Sequence, residues 1–281
     1  MTAIMFEKSQ QLRIITFALF LAGLAFLLYF LMRPGEKNDS SPSIFSSLSP
    51  NSDLSTYPSQ IINLGQWKLT LPIQSDDSEL PADIKQPELA TYQNPPWFRP
   101  TADKKGVAFR APVNAPTTAN SDYPRTELRE MTTDGKEEFF WPSTEGTHTL
   151  ILEEAITAVP KHKPDVVAGQ IHGDDDDLIV VRLEYPKLFL ARGKANLATL
   201  DENYTLGKRF TVKFVAANGQ VKVYYNNGVS PVYTLDKKVN EAYFKAGVYT
   251  QSNCETESAA DLCNPDNYGE VIIYNLAVSH Q

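Results

Sequence analysis

Three short segments of this sequence set polar side chains where a half-buried strand would show plain apolar–polar alternation. The first is Tyr123-Pro124-Arg125-Thr126-Glu127-Leu128-Arg129-Glu130-Met131. Read as a strand, its two-residue period places Arg125, Glu127 and Arg129 side by side on one face. The second is Gly169-Gln170-Ile171-His172-Gly173, with Gln170 and His172 on one face and Ile171 on the other. The third is Tyr243-Phe244-Lys245-Ala246-Gly247-Val248-Tyr249-Thr250-Gln251. There Tyr243, Lys245, Tyr249 and Gln251 share a face, Gly247 leaves room among them, and Phe244, Ala246 and Val248 form a core-facing stripe. Each segment alone has a plain structural explanation: a solvated ion-pair ladder, a structural histidine between glycines, a packed tyrosine. Together they align cations, an amide, an imidazole and a phenol on one sheet face of an acidic domain. That combination suits an anionic, hydroxyl-rich ligand.

The elements that must carry these segments are strands. Beyond residue 60, runs rich in Val, Tyr, Phe and Thr alternate with turn signals: 147–158, 178–185, 210–215, 221–225, 244–249 and 271–278. Asn218-Gly219 between two of the runs is a hairpin signature, and Asn227-Gly228 marks another turn. Pro142, Pro160, Pro164 and Pro186 fall between runs, where no ladder hydrogen bond is lost. No long stretch has apolar residues at helical spacing. About 220 residues of closely spaced strands predict one all-β domain over 60–281, a two-sheet sandwich or jelly roll.

The 281 residues carry 26 Lys+Arg against 34 Asp+Glu, a net charge of −8. Residues 1–59 are balanced, so the whole excess lies beyond them. An acidic domain without clustered basic residues is a poor nucleic-acid binder. Two cysteines exclude a disulfide-rich scaffold and a four-thiolate zinc site. From Ile14 to Met32 run 19 uncharged, mostly apolar residues. At about 1.5 Å per residue such a helix nearly spans the ~30 Å hydrocarbon layer. Lys8 and Arg13 before it suit a cytoplasmic N-terminus, although Arg33 and Lys37 behind it weaken the asymmetry. Residues 1–33 are therefore expected to be a membrane anchor, with the remainder exported to the periplasm or the exterior. A cleaved signal peptide, giving a secreted protein, is the rival reading, but no small-x-small site follows the run. Residues 34–59, with nine Ser and four Pro in 26 positions, read as a flexible linker.

The three polar segments, in this order and spacing, resemble the signature segments of the alginate lyases of polysaccharide lyase family 7. The likeness covers roughly residues 60–281. It implies a concanavalin-like β-jelly roll with a long open cleft, and cleavage of a 1,4-linked polyuronate by β-elimination without a cofactor. Carried over residue by residue, it makes Arg125, Gln170, His172 and Tyr249 catalytic. Positive charge from Arg125 or Lys245 would favour the Tyr249 phenolate. Glu127, Arg129, Lys245 and Gln251 are expected to position substrate. Where the family most often has Asn before the final Gln, this chain has Thr250, which alternation points away from the cleft. Ile rather than Val between the Gln and His of the second segment tends, in the family, to accompany acceptance of guluronate. Ile171 stands at that position.

Other constellations are weaker. Asp174 to Asp177 read as a solvated acidic loop, because consecutive side chains diverge and no Gly-spaced calcium loop is present. His148, His162 and His280 show no metal-ligand spacing, and no metal is expected. Cys254 and Cys263 are expected to form a disulfide, worth roughly 2–3 kcal/mol by loop entropy. A monomer is expected. Two other functions fit a sandwich. A glycoside hydrolase needs two carboxylates flanking the bond, and Glu127 and Glu130 face opposite sides of a strand. A carbohydrate-binding module would tolerate loss of Tyr249. The anchor has a direct consequence. Full-length protein should stay with membranes after a high-salt wash, and deletion of residues 1–33 should release a soluble, active domain. Recovery of a shortened, freely soluble native protein would instead indicate a cleaved signal.

Overall fold

The computed structural model describes residues 56–281, apart from Asp175 and Ala260. The apolar run 14–32, expected to be a transmembrane helix, and most of the Ser/Pro-rich linker lie outside the described residues. Among the described residues fifteen strands follow one another. Trp67–Gln74 (β1), Pro81–Ile84 (β2), Phe98–Pro100 (β3), Val107–Pro112 (β4) and Arg125–Glu130 (β5) come first. Then come Thr147–Ala158 (β6), Asp165–His172 (β7), Asp177–Glu184 (β8), Lys187–Arg192 (β9) and Ala195–Asp201 (β10). Phe210–Ala217 (β11), Gln220–Tyr225 (β12), Tyr233–Asp236 (β13), Tyr243–Thr250 (β14) and Tyr268–His280 (β15) complete the set. They form two antiparallel sheets. One has eight strands in the order β10-β9-β8-β7-β14-β5-β1-β2, the other seven in the order β13-β12-β11-β6-β15-β4-β3. The expected two-sheet all-β sandwich is what the chain adopts.

Local sequence explains much of this. In β11, Phe210, Val212, Phe214 and Ala216 are buried while the residues between them are half-exposed, the period-two pattern of a strand with one dry face. Asn218 and Gly219 both adopt positive φ, 52° and 75°, and close the β11–β12 hairpin that the Asn-Gly pair predicts. The core between the sheets joins Trp67, Leu69, Phe109, Leu128, Leu152, Phe214, Phe244 and Ile273 among others. Each such side chain contributes about 1.5–3 kcal/mol when fully buried. Pro72 interrupts β1 where its pairing with β2 slips, between Thr70 and Gln74, a place where a missing N–H is tolerated.

The folded unit begins before residue 60. Pro58–Gln60 form a short 3-10 turn, Pro58 is buried, and the Ser59 hydroxyl donates to the Ala90 carbonyl at 2.5 Å. The last linker positions are thus part of the domain, a boundary that Ser and Pro content hides. Cys254 and Cys263 form the expected disulfide just after β14.

One core residue breaks the apolar rule. Glu154 on β6 is fully buried between the sheets, and neither carboxyl oxygen has a hydrogen-bond partner among the described residues. Its Oε1 lies 4.0 Å from where a Cβ on Gly169 would stand, directly behind β7. Burial pushes its pKa from 4.5 up to about 8. The folded state therefore holds a proton that the unfolded chain releases above pH ~4.5, and stability falls as pH rises through that window. Glu154→Met should stabilise the domain by about 2 kcal/mol at pH 8 and by much less at pH 5, as measured by urea denaturation at both values.

Candidate active site

The three polar segments become β5, β7 and β14, which are neighbours in the eight-stranded sheet. Register assembles them into a floor: Lys245 lies opposite Gln170 on one side and Arg129 on the other, while Tyr243 faces His172 and Tyr249 faces Arg125. All six residues of β5 are buried. One face, with Thr126, Leu128 and Glu130, meets the core; the other, with Arg125, Glu127 and Arg129, lies under the cleft. β14 repeats the pattern, with Phe244, Ala246 and Val248 in the core.

Gly247 lies opposite Glu127. Its φ is +133°, and a Cβ there would come within 2.5 Å of the Thr126 carbonyl. Close approach of the two backbones, as well as room on the face, therefore requires glycine. Thr250 points away from the cleft, as alternation predicts; its hydroxyl lies 3.0 Å from both the Pro124 and the Ser252 carbonyl.

Glu127 holds the floor together. Oε2 binds Arg125 Nη1 at 2.9 Å and Lys245 Nζ at 2.6 Å, and Oε1 accepts from Gln170 Nε2 at 2.5 Å. Burial works to raise the Glu127 pKa, but Lys245, Arg125 and the donated hydrogen bonds hold it below the ordinary glutamate value. Burial pulls Lys245 below the ordinary lysine value against the opposing field of Glu127. Two cations share one carboxylate, and Asp177 adds its field to that of Glu127 on Lys245.

Above this layer lies an open cleft of about 440 Å³. Arg125, Arg129, His172, Tyr243, Lys245 and Tyr249 reach it from the floor. His172 Nδ1 lies 2.9 Å from the Gly173 carbonyl, which can only accept. Nδ1 therefore carries the hydrogen, and Nε2 of the neutral ring is the basic nitrogen. The imidazole stacks on Tyr243 with centroids 5.0 Å apart. The Arg125 guanidinium stands 4.0 Å over the Tyr249 ring. Burial raises the Tyr249 pKa above the ordinary phenol value, against the pull of a Ser121 hydrogen bond and of Arg125. The expected help from positive charge is present, and desolvation outweighs it.

The expected positioning residues divide. Lys245 lines the cleft, and Arg129 lines it between the Tyr243 and Phe140 rings, 4.2 and 4.5 Å away. Glu127 does not line it; it is 3% exposed and acts on the cations from below. Gln170, 1% exposed, is also beneath the surface. Gln251 lies past the end of β14, and its side-chain amide donates to the Thr250 carbonyl. It is not among the cleft residues.

Several cleft residues escaped sequence reasoning. Lys68 and Thr70 on β1 meet Asp83 on β2, with Lys68 Nζ 2.8 Å from Asp83 and 3.0 Å from Glu138. The alternation Lys68-x-Thr70 within an apolar run was the available signal. Asp177, expected in a solvated loop, opens β8 and enters the cleft beside His172, while Asp174 Oδ1 accepts the Asn240 and Glu241 amides. Burial raises the Asp177 pKa, with His172 opposing it. Glu130 lies on the core side of β5, where Oε2 accepts Trp141 Nε1 and Phe244 N, each at 3.0 Å. Its Oε1 lies 2.6 Å from His280, which meets His148 at 2.8 Å. With Glu127 tied up by cations and Glu130 on the far side, neither serves as half of a hydrolytic carboxylate pair.

Across residues 62–280 the chain matches the family model described as alginate lyase. It is similar to the solved alginate lyase AlgAT5 from polysaccharide lyase family 7, at 47% identity and a TM-score of 0.74, over 81% of this chain and 100% of that one. The alginate lyase from Corynebacterium sp. is 44% identical with a TM-score of 0.76, covering 81% and 99%. An alginate lyase of Klebsiella pneumoniae is 28% identical over an alignment that covers 79% of this chain and 91% of the relative. A sandwich of this kind, with a cation-floored groove and these relatives, is that of a polysaccharide lyase. The chain belongs to the alginate lyases of polysaccharide lyase family 7, whose jelly roll it shares.

The floor itself can be tested. Glu127→Gln leaves Arg125 and Lys245 buried without their counter-charge, and should cost about 3–5 kcal/mol of stability by denaturant titration. Because the folded pKa lies below the unfolded value of 4.5, the stability Glu127 supplies is present above that pH and is lost as pH falls through the folded value. The variant's disadvantage should therefore shrink in acid.

Proposed function

We propose that the domain cleaves alginate by β-elimination, with His172 and Tyr249 moving the protons and Arg125 with Gln170 stabilising the charge that develops on the uronate. The reaction removes the proton at C5, expels the 4-oxygen and leaves a 4,5-unsaturated sugar. The C5 proton is weakly acidic because its loss places charge on the adjacent carboxylate. Cations and hydrogen-bond donors fixed at that carboxylate stabilise the enediolate, and such preorganised electrostatics commonly dominate catalysis of this kind. The observation that carries the reading is the meeting of three groups in one cleft: the His172 imidazole, whose Nε2 is left free by the bond of Nδ1 to the Gly173 carbonyl, the Tyr249 phenol and the Arg125 guanidinium.

The two uronates set different demands. In mannuronate the C5 proton and the leaving oxygen lie on the same side, so Tyr249 serves as base and then as acid. In guluronate they lie on opposite sides, so His172 takes the proton and Tyr249 protonates the leaving oxygen. Guluronate-containing blocks are proposed as substrates. Ile171 supports this from the core, where it is fully buried and fixes the strand carrying Gln170 and His172. A relative in the same family, alginate lyase A1-II′, at 25–26% identity, was solved with the product GGG and with the substrate GGMG. Residues 1–33 are proposed to anchor the enzyme, as a monomer, in the membrane, with residues 34 to about 55 as its tether and the catalytic domain exported.

Tyr249→Phe keeps the ring and loses the proton-carrying oxygen. It should lower kcat by about 10²-fold or more, followed as near-ultraviolet absorbance of the unsaturated product, with polymer binding largely intact. His172→Ala should reduce turnover of polyguluronate more than that of polymannuronate. An equal loss on both polymers would refute the division of labour.

A further inference from the structure

Ser121 stands in the loop before β5 and lines the cleft, outside all three polar segments. Its Oγ lies 3.0 Å from Tyr249 Oη. The same Oγ accepts the Tyr123 backbone N–H at 3.2 Å and lies 3.3 Å from the Tyr123 carbonyl. A serine hydroxyl has one hydrogen to give. The Tyr123 N–H occupies one of its acceptor positions, and two oxygens compete for that single hydrogen. Tyr249 Oη is the nearer of the two.

We infer that Ser121 is a positioning residue for the lyase reaction: its hydroxyl donates to Tyr249 Oη, holding the phenolate when Tyr249 acts as base and turning the phenol hydrogen toward the cleft when it acts as acid. The inference rests on the role proposed above for Tyr249. The protons balance without Ser121 losing its own. In the same-side reaction the phenolate takes the C5 hydrogen as the C4–O4 bond breaks and the C4–C5 double bond forms. The new phenol then gives that hydrogen to the departing oxygen. Throughout, the Ser121 hydrogen stays on Oγ and changes only the strength of its bond to Oη, because a hydrogen bond to a charged acceptor is about twice as strong as one to a neutral acceptor.

Geometry explains why such a donor is needed. Tyr249 packs against the apolar patch of Val167, Val180, Phe189 and Ala191, which solvates no oxygen. Arg125 covers the ring face and not the oxygen: its Cζ is 4.0 Å from the centroid, and its Nη1 is engaged by Glu127. The titratable and charged groups around Tyr249 are Tyr123 in the same loop as Ser121, its ring centroid 6.2 Å away, Arg125 and Glu127 on β5, Lys245 on its own strand, His172 on β7 and Asp177 on β8. Each of these stays in place when only Ser121 is changed. Within the loop, Ser121 is the residue that reaches Oη, and the Tyr123 amide fixes where its oxygen sits.

The test compares wild type, Ser121→Ala, Ser121→Thr and Tyr249→Phe on polymannuronate, with kcat, KM and the pH profile of kcat for each. Ser121→Ala should lower kcat about 10-fold with KM changed less than threefold. Its pH profile should move upward, because phenolate without the donor forms at higher pH. Ser121→Thr, which keeps the hydroxyl, should restore both kcat and profile. Ser121→Ala with kcat within twofold of wild type, or with reduced kcat but an unmoved profile, overturns the inference while leaving Tyr249 in its role. A loss of kcat that Thr does not restore also overturns it, since the hydroxyl would not be the cause. Tyr249→Phe retaining more than a tenth of wild-type kcat removes the premise itself, and so separates that failure from failure of the Ser121 step.

Discussion

A single buried carboxylate makes the site possible. Glu127 lies under the cleft with a guanidinium and an ammonium on one oxygen and an amide on the other. Two cations packed side by side in a sheet would repel each other and carry the cost of lost hydration. Placing one anion between them offsets both, yet leaves the pair short of full neutralisation. Strand pairing brings this about: β5 supplies Arg125 and Glu127, β14 supplies Lys245, β7 supplies Gln170, and the three strands are hydrogen-bonded neighbours.

Around that centre the sheet works as a rigid mount for the imidazole and the phenol of the cleft. The Gly173 carbonyl fixes which nitrogen of His172 is basic, and the Tyr243 ring holds the imidazole plane by stacking. Tyr249 is held between the Arg125 guanidinium and an apolar patch. Behind the sheet, Glu130 ties the Phe244 amide of β14 to the Trp141 indole and to His280. The glutamate pair in the Glu127–Glu130 segment thus performs two tasks set by strand geometry, one on each face.

How far the sequence reveals this depends on the range of the interactions. Alternation within one strand is local, so the shared face of Arg125, Glu127 and Arg129, the core position of Ile171 and the inward Thr250 were all legible. So was the Asn218-Gly219 hairpin, because its turn chemistry belongs to two adjacent residues. Which face meets water was not legible for Glu127: the alternation was right, but a strand pattern does not state that Lys245 and Gln170 converge on it. The β1–β2 wall with Lys68 and Asp83 depends on register between separate runs. The meeting of His148 with His280 joins residues 132 positions apart. Asp177 reads as one of four solvated aspartates until β8 is seen to begin there. The start of the folded unit at Pro58 was hidden because serine and proline serve a linker and a tight turn equally well.

The position of β15 has a consequence for how the chain is made. Of the fifteen strands it is the last to be synthesised, yet it lies inside the seven-stranded sheet, paired to β6 on one side and β4 on the other. Until residues 268–280 arrive, that sheet exists as two separate pieces, β13-β12-β11-β6 and β4-β3, each with an unpaired edge facing the gap. Such edges readily pair with other chains. A nascent or prematurely terminated chain therefore carries two adhesive edges, and both are sealed by the thirteen residues of β15. Those residues act as the closing stitch of the sandwich, and a truncation that removed them would leave the seam open.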